Sequence, residues 1–283
     1  MNRAKALREL LAGKRMLIVP GVYDGLSAKI ARYCGFEAIF MTGYGTAAGY
    51  GFPDIGLLSM SEMVDNVRRI GDSVDIPLIA DADTGYGNYA NVYRCVREYE
   101  RAGAAAVEIE DQTWPKRCSS MAGKEVIEAG EMVQKVKAAV DARLSPETVV
   151  VARTDSCSIF GFEEACRRAH LFEEAGADML FIEGLSSFEE MKRVPGLFSK
   201  PCIINMGFIS KQRSVREMED AGYSVALFPA AAFEGAAHGI YRMCKVLREE
   251  KRVLELEEMP FTHEGMNRLL GLDLYRELER KVT

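Results

Sequence analysis

The sequence has no apolar run that approaches the roughly 18 residues needed to span a bilayer. Its start, MNRAKALRELLAGKRM, carries charged residues every few positions and so lacks the apolar core of a secretory signal peptide. The seven cysteines are dispersed and form no CxxC pair, which is typical of reduced thiols and argues against a zinc ribbon or a disulfide framework. These absences predict a cytoplasmic protein.

Basic residues are fewer than acidic residues. The chain has 36 Lys and Arg against 42 Asp and Glu, which gives a net charge of −6. A protein face that binds nucleic acid or an anionic membrane surface needs clustered basic residues. We therefore expect neither nucleic acid nor a membrane as a partner. Hydrophobic residues, at 48% of the 283 positions, are numerous enough for one large core.

One pattern recurs along the chain. A short apolar run is followed by a polar loop and then by a stretch whose apolar residues are spaced three and four apart. The runs lie at 16–21, 38–43, 77–83, 106–111, 148–155, 179–184, 201–206 and 224–229. Buried strands that alternate with helices in this number indicate an α/β protein of the (β/α)8 TIM barrel type. No GxGxxG or GxxxxGK loop follows the first run, which disfavours an open nucleotide-binding sheet.

Two segments lie outside this repeat. They are an N-terminal helix at about 2–12 and a helical, partly apolar tail from about 252. We predict a single barrel domain over residues 1–283. The helical segment from about 231 is expected to contribute to contacts between subunits.

The predicted strand ends carry many carboxylates, and chemistry in a (β/α)8 barrel takes place at those ends. The polar side chains expected there are Asp81, Asp83, Glu108, Glu110, Asp155 and Glu183, together with Arg153 and Asn205. A single strand-end acid is often only a turn residue or a helix cap. A set of acids at one mouth would repel one another without a cation among them, so the sequence predicts a site for Mg²⁺, with Mn²⁺ as the alternative ion.

Two other chemistries are disfavoured by residues that are missing. No lysine lies in any of the eight runs, so a Schiff-base aldolase is not expected. His170, His238 and His263 fall in helices or in the tail, so a histidine-rich zinc site is not expected either. What remains is an oxygen-ligated divalent ion that polarises an oxyacid, with a guanidinium and a general acid beside it.

The loop PKRCSSMAGKEV, residues 115–126, follows the fourth run directly. It is interpreted in two ways: as a solvated surface loop with a chance cysteine, or as a lid that carries a general acid over the acidic site. In the second interpretation Cys118 supplies the proton, and the adjacent cations Lys116 and Arg117 ease its ionisation.

Several stretches resemble the isocitrate lyase/phosphoenolpyruvate mutase superfamily. They are PGVYDGLSAKIARYCGFEAIFMTGYGTAA, PDIG, DADTGYGN, VEIEDQTWPKRC, ARTD, LFIEG and IIN, in that order over residues 20–205. The resemblance implies a barrel whose eighth helix is exchanged between the subunits of a tetramer. The KRC motif and Trp114-Pro115 are most similar to the branch that includes methylisocitrate lyase and 2,3-dimethylmalate lyase.

The resemblance also implies roles for matching residues. Asp81 would ligate Mg²⁺, and its waters would be held by Asp54, Asp83 and Glu110. The substrate would be bound and turned over by Tyr23, Asp24, Thr42, Gly43, Tyr44, Arg153, Glu183 and Asn205. Cys118 matches the thiol acid/base, with Lys116 and Arg117 next to it, on a gating loop at about 116–128.

Two departures from the family fall on substrate-facing loops. Ser119 and Ser120 replace a glycine and a histidine after the cysteine, and NMGFISKQRSV lacks the family's acid and Thr-Pro turn. Because every metal position is kept, we predict a Mg²⁺-dependent carbon–carbon lyase for a small 2-hydroxy or 2-oxo dicarboxylate. The alternatives are a phosphonate mutase or hydrolase, an oxaloacetate decarboxylase or hydrolase, and a member that has lost lyase activity and only binds a metabolite.

Overall fold

The computed structural model describes residues 2–13, 15–207, 214–253 and 261–282. Its parallel strands close into a barrel in chain order, and the first strand pairs with the eighth. The strands are β1 (Leu17–Val22), β2 (Ile39–Met41), β3 (Leu78–Asp81), β4 (Ala106–Glu110), β5 (Val149–Thr154), β6 (Met179–Ile182), β7 (Cys202–Asn205) and β8 (Val225–Phe228). The predicted (β/α)8 barrel is therefore confirmed, and every predicted run overlaps one strand.

Helices alternate with the strands on the outside of the barrel. Those in the described ranges are α1 (Arg3–Leu11), α2 (Gly25–Tyr33), α3 (Gly43–Gly49), α4 (Met60–Ser73), α5 (Tyr89–Arg101), α6 (Ala129–Ala142), α7 (Cys157–Phe160), α8 (Phe162–Glu174), α9 (Phe188–Leu197), α10 (Val215–Ala221), α11 (Ala231–Glu250), α12 (His263–Leu269) and α13 (Leu272–Val282). Several begin at a serine cap such as Ser59, whose side chain accepts from the Glu62 backbone N–H. None of these described helices is long and apolar enough to cross a membrane.

Side chains fill the interior of the barrel. Val19, Phe40, Val151 and Phe181 point inward from their strands and are buried against one another. Leu7 of α1 joins the same cluster and is fully buried, so α1 closes the amino-terminal end of the barrel. A second apolar layer packs between the strands and the surrounding helices. The polar strand ends are consequently gathered at the opposite mouth.

The carboxy-terminal helices leave apolar side chains in solvent. In the single chain α11 has no buried residue, and Ile240, Tyr241 and Leu247 are 63%, 65% and 53% exposed. Leu274 and Tyr275 of α13 are similarly exposed. Apolar patches of this kind mark surfaces that another protein covers. The predicted subunit contact and helix exchange agree with this pattern and stay predictions.

Candidate active site

An open cavity lies at the carboxyl ends of the strands; its empty space is about 540 Å³, part of which is open to solvent at the mouth. Its polar wall consists of Thr42, Tyr44, Asp54, Asp81, Glu110, Lys116, Arg117, Cys118, Ser119, Arg153 and Asn205. Its apolar wall consists of Phe40, Phe181, Leu227, Pro229, Ala230 and Phe233. Most side chains expected at the site therefore meet in one volume, although they come from distant parts of the chain.

Arg153 is the cation at the centre of this wall. Its Nε and Nη2 donate to Asp155 Oδ2 and Oδ1 at 2.9 and 3.1 Å, which is a bidentate pair. The guanidinium also lies 3.4 Å from a Glu110 oxygen and 3.6 Å from a Glu108 oxygen. The ring of Phe181 lies 5.2 Å below it. One guanidinium thus compensates three carboxylates and is held in a fixed orientation.

The two β4 acids, Glu108 and Glu110, resist ionisation in the metal-free site although Arg153 lies beside them. Burial, with a smaller contribution from Asp81 and Glu183 nearby, raises the pKa of Glu108 to about 8 against the attraction of Arg153. Burial likewise raises the pKa of Glu110 well above its ordinary value. Within the described residues, both oxygens of Glu108 and Oε1 of Glu110 have no hydrogen-bond partner. Unpaired buried acceptors of this kind are costly unless a further cation compensates them.

Asp81 is held at the end of β3 by backbone donors. Its Oδ2 accepts from the Gly43 N–H at 3.1 Å and its Oδ1 from the Asp83 N–H at 2.9 Å. A Cβ at position 43 would lie 2.6 Å from Asp81 Oδ2, so glycine is required for this close approach. Gly43 therefore orients the Asp81 carboxylate. It is not among the residues that line the main cavity.

Lys116 is buried between two of the predicted metal-site acids. Its Nζ lies 2.5 Å from Asp54 Oδ1 and 3.0 Å from Asp83 Oδ1. Burial alone would lower the pKa of this lysine, but the carboxylates of Asp83 and Asp54 outweigh it and raise the pKa well above the ordinary value. Burial raises the pKa of Asp83 to about 6. The sequence placed Lys116 beside the thiol, and the structure adds this ion pair inside the acidic cluster.

Cys118 lies on the cavity wall with only 6% of its surface exposed. Its backbone N–H donates to the Asp54 carbonyl at 3.0 Å, and its Sγ lies 3.3 Å from Ser120 Oγ. Arg117 turns partly away, since its Nη1 donates to the Ala122 carbonyl at 3.3 Å. The interpretation of residues 115–126 as a loop over the acidic site agrees with this placement.

Several predicted residues lie beside the cavity and not on its described wall. Asp24 caps α2 by accepting from the Ser27 N–H at 2.7 Å, and the Tyr23 carbonyl accepts from Asn66. Glu183 accepts from Asn205 Nδ2 at 2.9 Å, which orients that amide at the cavity. Ser120 reaches the site through the sulfur of Cys118. Their predicted roles in substrate binding or catalysis stay predictions.

Sequence reasoning left other residues out of the candidate site. Asp155 was recognised only as a strand-end acid, although its spacing of two from Arg153 is a signal for a shared face. Lys124 binds Asp155 from the loop, and no sequence signal identified that partner. Phe233 of α11 packs edge-on against Tyr44 with ring centroids 4.7 Å apart. That contact depends on how α11 leaves β8, which periodicity does not reveal.

The acid cluster fits a hydrated hard cation better than a cage of protein ligands. In the described part of the chain, no three His, Cys, Asp or Glu side chains are arranged to hold a metal ion by themselves. Mg²⁺ commonly takes one or two carboxylates, keeps several waters and accepts substrate oxygens. Asp81 and Glu110 both face the cavity, and Glu110 retains an unpaired acceptor oxygen. The oxygen donors therefore fit Mg²⁺ bound largely through waters.

The stability of the metal-free protein is expected to fall as the pH rises from about 5 to 8. Folding raises the pKa of Glu108 from about 4.3 in the unfolded chain to about 8. The protonated group therefore stabilises the folded state fully below about pH 4.3, and this stabilisation is lost as the pH rises toward about 8. Mg²⁺ favours ionised carboxylates, so Mg²⁺ with oxalate should raise the melting temperature more at pH 8 than at pH 6. Differential scanning fluorimetry measures both effects. A sample with chelator gives the metal-free stability, and NaCl at equal ionic strength is the control for the added Mg²⁺ salt. A Mg²⁺ effect that is equal at the two pH values would contradict this account.

Fold and site together define a (β/α)8 barrel whose mouth holds an acidic cavity with a cysteine-bearing loop. The chain belongs to the phosphoenolpyruvate mutase/isocitrate lyase superfamily, and its residues 7–247 match the family described as phosphoenolpyruvate phosphomutase. A 2,3-dimethylmalate lyase of Eubacterium barkeri is 41% identical over 286 residues, covering 100% of this chain and 99% of that protein.

Solved structures show the same likeness. An oxaloacetate acetylhydrolase in complex with the inhibitor 3,3-difluorooxalacetate gives a TM-score of 0.94 at 33% identity, covering 99% of this chain and 97% of that chain. A phosphonopyruvate hydrolase complex with oxalate and Mg²⁺ gives a TM-score of 0.89 at 30% identity, covering 99% of both chains. The resemblance inferred from the sequence motifs is thereby confirmed at the level of the superfamily.

Proposed function

We propose that this protein is a Mg²⁺-dependent carbon–carbon bond lyase for a small 2-hydroxy or 2-oxo dicarboxylate. One observation carries the proposal: Cys118 and Arg153 line the same cavity as Asp81 and Glu110. A proton donor, an anion-stabilising guanidinium and metal-binding carboxylates thus face one volume. The full-length similarity to a dimethylmalate lyase supports the same reaction class.

The residues divide the chemistry among them. Asp81 would hold the metal, with Asp54, Asp83 and Glu110 holding its waters, and the bound ion would supply a Lewis acid for the substrate oxygens. Arg153 binds and orients a substrate carboxylate and offsets the negative charge that develops on it. In a 2-hydroxy acid, the hydroxyl proton passes to an ionised carboxylate of the cavity and the hydroxyl oxygen forms the carbonyl of the 2-oxo product. The carbon–carbon bond breaks in the same step and leaves its electron pair on the carbon next to the substrate carboxylate. The Cys118 S–H donates its proton to this carbon and becomes a thiolate.

A product assay tests the proposal directly. Purified protein with Mg²⁺ is incubated with a panel of alkylmalates, 2-methylisocitrate and oxaloacetate, and the products are identified by mass spectrometry. We expect at least one member to release a 2-oxo acid such as pyruvate or glyoxylate. The release should stop when a chelator is added. If no member of the panel is cleaved under these conditions, the lyase proposal fails.

A phosphonate-type reaction is the second candidate, and the position of Ser119 favours it. Ser119 lies on the cavity wall next to Cys118, where its hydroxyl can donate to a phosphoryl oxygen. Incubation with phosphonopyruvate and Mg²⁺, followed by ³¹P NMR, distinguishes the two functions. The absence of any new phosphorus signal excludes the phosphonate reaction and leaves the lyase.

We further propose a cytoplasmic homotetramer in which α11 packs on a neighbouring subunit. Ile240 and Tyr241 of α11, which are exposed in the single chain, support this assignment. Analytical ultracentrifugation tests it, since a monomer at micromolar concentration would contradict it.

A further inference from the structure

A lysine outside the predicted site connects the cysteine loop to the barrel. Lys124 Nζ lies 3.1 Å from Asp155 Oδ1 and donates to the Ser119 carbonyl at 2.9 Å. Its side chain is 5% exposed, and that of Asp155 is fully buried. A loop lysine is ordinarily solvated, and its ion pairs then contribute little to stability. Lys124 differs from such a solvated lysine because it is buried and has two partners.

The same Asp155 carboxylate holds the guanidinium of the active site. Asp155 Oδ1 accepts from both Lys124 and Arg153 Nη2, at 3.1 Å in each case, and Oδ2 accepts from Arg153 Nε. The fully buried Asp155 at the end of β5 therefore has one cation from the loop and one from its own strand. Its pKa is lowered because the attraction of Arg153 and Lys124 outweighs the effect of burial.

A turn at Gly123 places Lys124 next to Asp155. Gly123 has φ 75°, a conformation that favours glycine, and a Cβ there would lie 2.9 Å from Arg117 Nη1. The chain thus turns immediately before the lysine, between the exposed part of the loop and the cavity. At the other end of the loop Lys116 binds Asp54 and is equally buried. The segment that carries Cys118 is consequently attached to the barrel at both ends.

We propose that Lys124 is a positioning residue that fixes the Cys118 loop relative to Arg153 through Asp155. By binding the Ser119 carbonyl, it holds the residue that directly follows the cysteine. By binding Asp155, it ties that residue to the carboxylate that orients the guanidinium. The consequence for turnover rests on the proposed function, whereas the consequence for loop closure does not.

Replacing Lys124 with methionine tests the proposal with two measurements that need no substrate. The first is the rate at which iodoacetamide alkylates Cys118 at constant pH, followed by peptide mass spectrometry. The second is the rate of tryptic cleavage of the Arg117–Cys118 bond. Because loss of the buried ion pair favours local opening, both rates should rise by about tenfold or more in Lys124→Met. Where a substrate is turned over, kcat should fall by a similar factor, about tenfold.

Matched variants make the result specific. Lys124→Arg keeps the charge and should stay within about threefold of the wild type in both rates. Lys137→Met, on an exposed face of α6, should change neither rate. If Lys124→Met does not fold, Lys124→Gln replaces it, since glutamine keeps a donor for the Ser119 carbonyl but not the charge.

Alkylation and cleavage rates in Lys124→Met that equal those of the wild type would overturn the proposal. So would rates that rise equally in Lys137→Met. An inactive wild-type protein would defeat the proposed function only, because alkylation and cleavage still decide whether Lys124 holds the loop.

Discussion

Replacing Arg153 with methionine is expected to lower the free energy of unfolding by about 3–5 kcal/mol and to abolish turnover. The guanidinium binds Asp155 through two hydrogen bonds and lies within 3.6 Å of Glu108 and Glu110. Without it, three buried carboxylates face one another and the substrate carboxylate loses its counter-charge. Urea unfolding measures the loss of stability, and it should increase with pH because the carboxylates must ionise.

Two further arginine variants show whether charge or geometry matters at this position. Arg153→Lys keeps the positive charge but loses the planar fork, so it should recover part of the stability and little of the turnover. Arg167→Met removes an exposed arginine that pairs with Glu164 on the same helix, and its expected cost is below about 1 kcal/mol. A loss in Arg153→Met no larger than in Arg167→Met would show that the acid cluster does not need the guanidinium.

Replacing Cys118 with serine is expected to lower kcat by a factor of about 10² to 10⁴ while KM changes little. The sulfur faces the cavity and is almost fully buried, so it is placed to deliver a proton to a carbanion. A serine hydroxyl has nearly the same shape but is a far weaker acid than a thiol at neutral pH. Steady-state kinetics on the substrate found in the panel measure the effect.

The matched control for this variant is Cys34→Ser, since Cys34 is a free cysteine exposed at the end of α2. It should leave kcat and KM unchanged, and neither substitution should shift the melting temperature by more than about 2–4 °C. Unchanged turnover in Cys118→Ser would remove the thiol from the mechanism and leave the metal-site acids as the essential groups.

Much of the architecture follows from local sequence patterns. The apolar run Val149–Ala152 of β5 is buried on both faces, as expected for a parallel strand that has the barrel interior on one side and helices on the other. Strand order then follows from the alternation with helices, and the count of eight strands predicted that the sheet closes. The acids of β3 and β4 were identified for the same reason, because strand ends meet at one mouth of a barrel.

The partners of long charged side chains did not follow from such patterns. Lys116 pairs with Asp54, 62 positions away, and Lys124 pairs with Asp155, 31 positions away. A lysine reaches its partner through several rotatable bonds, so its contact depends on where the loop lies in space. Periodicity records only which face of an element is buried.

The sequence by itself determined the barrel, the mouth at which its acids meet and the loop that carries the cysteine. These depend on short-range alternation of apolar and polar residues, which the chain records directly. The tertiary structure decided which acids are compensated by Arg153, Lys116 and Lys124 and which remain unpaired. It also decided that Phe233 closes the cavity beside Tyr44. Electrostatic compensation and cavity shape depend on distances between residues far apart in the chain, and only the folded barrel sets those distances.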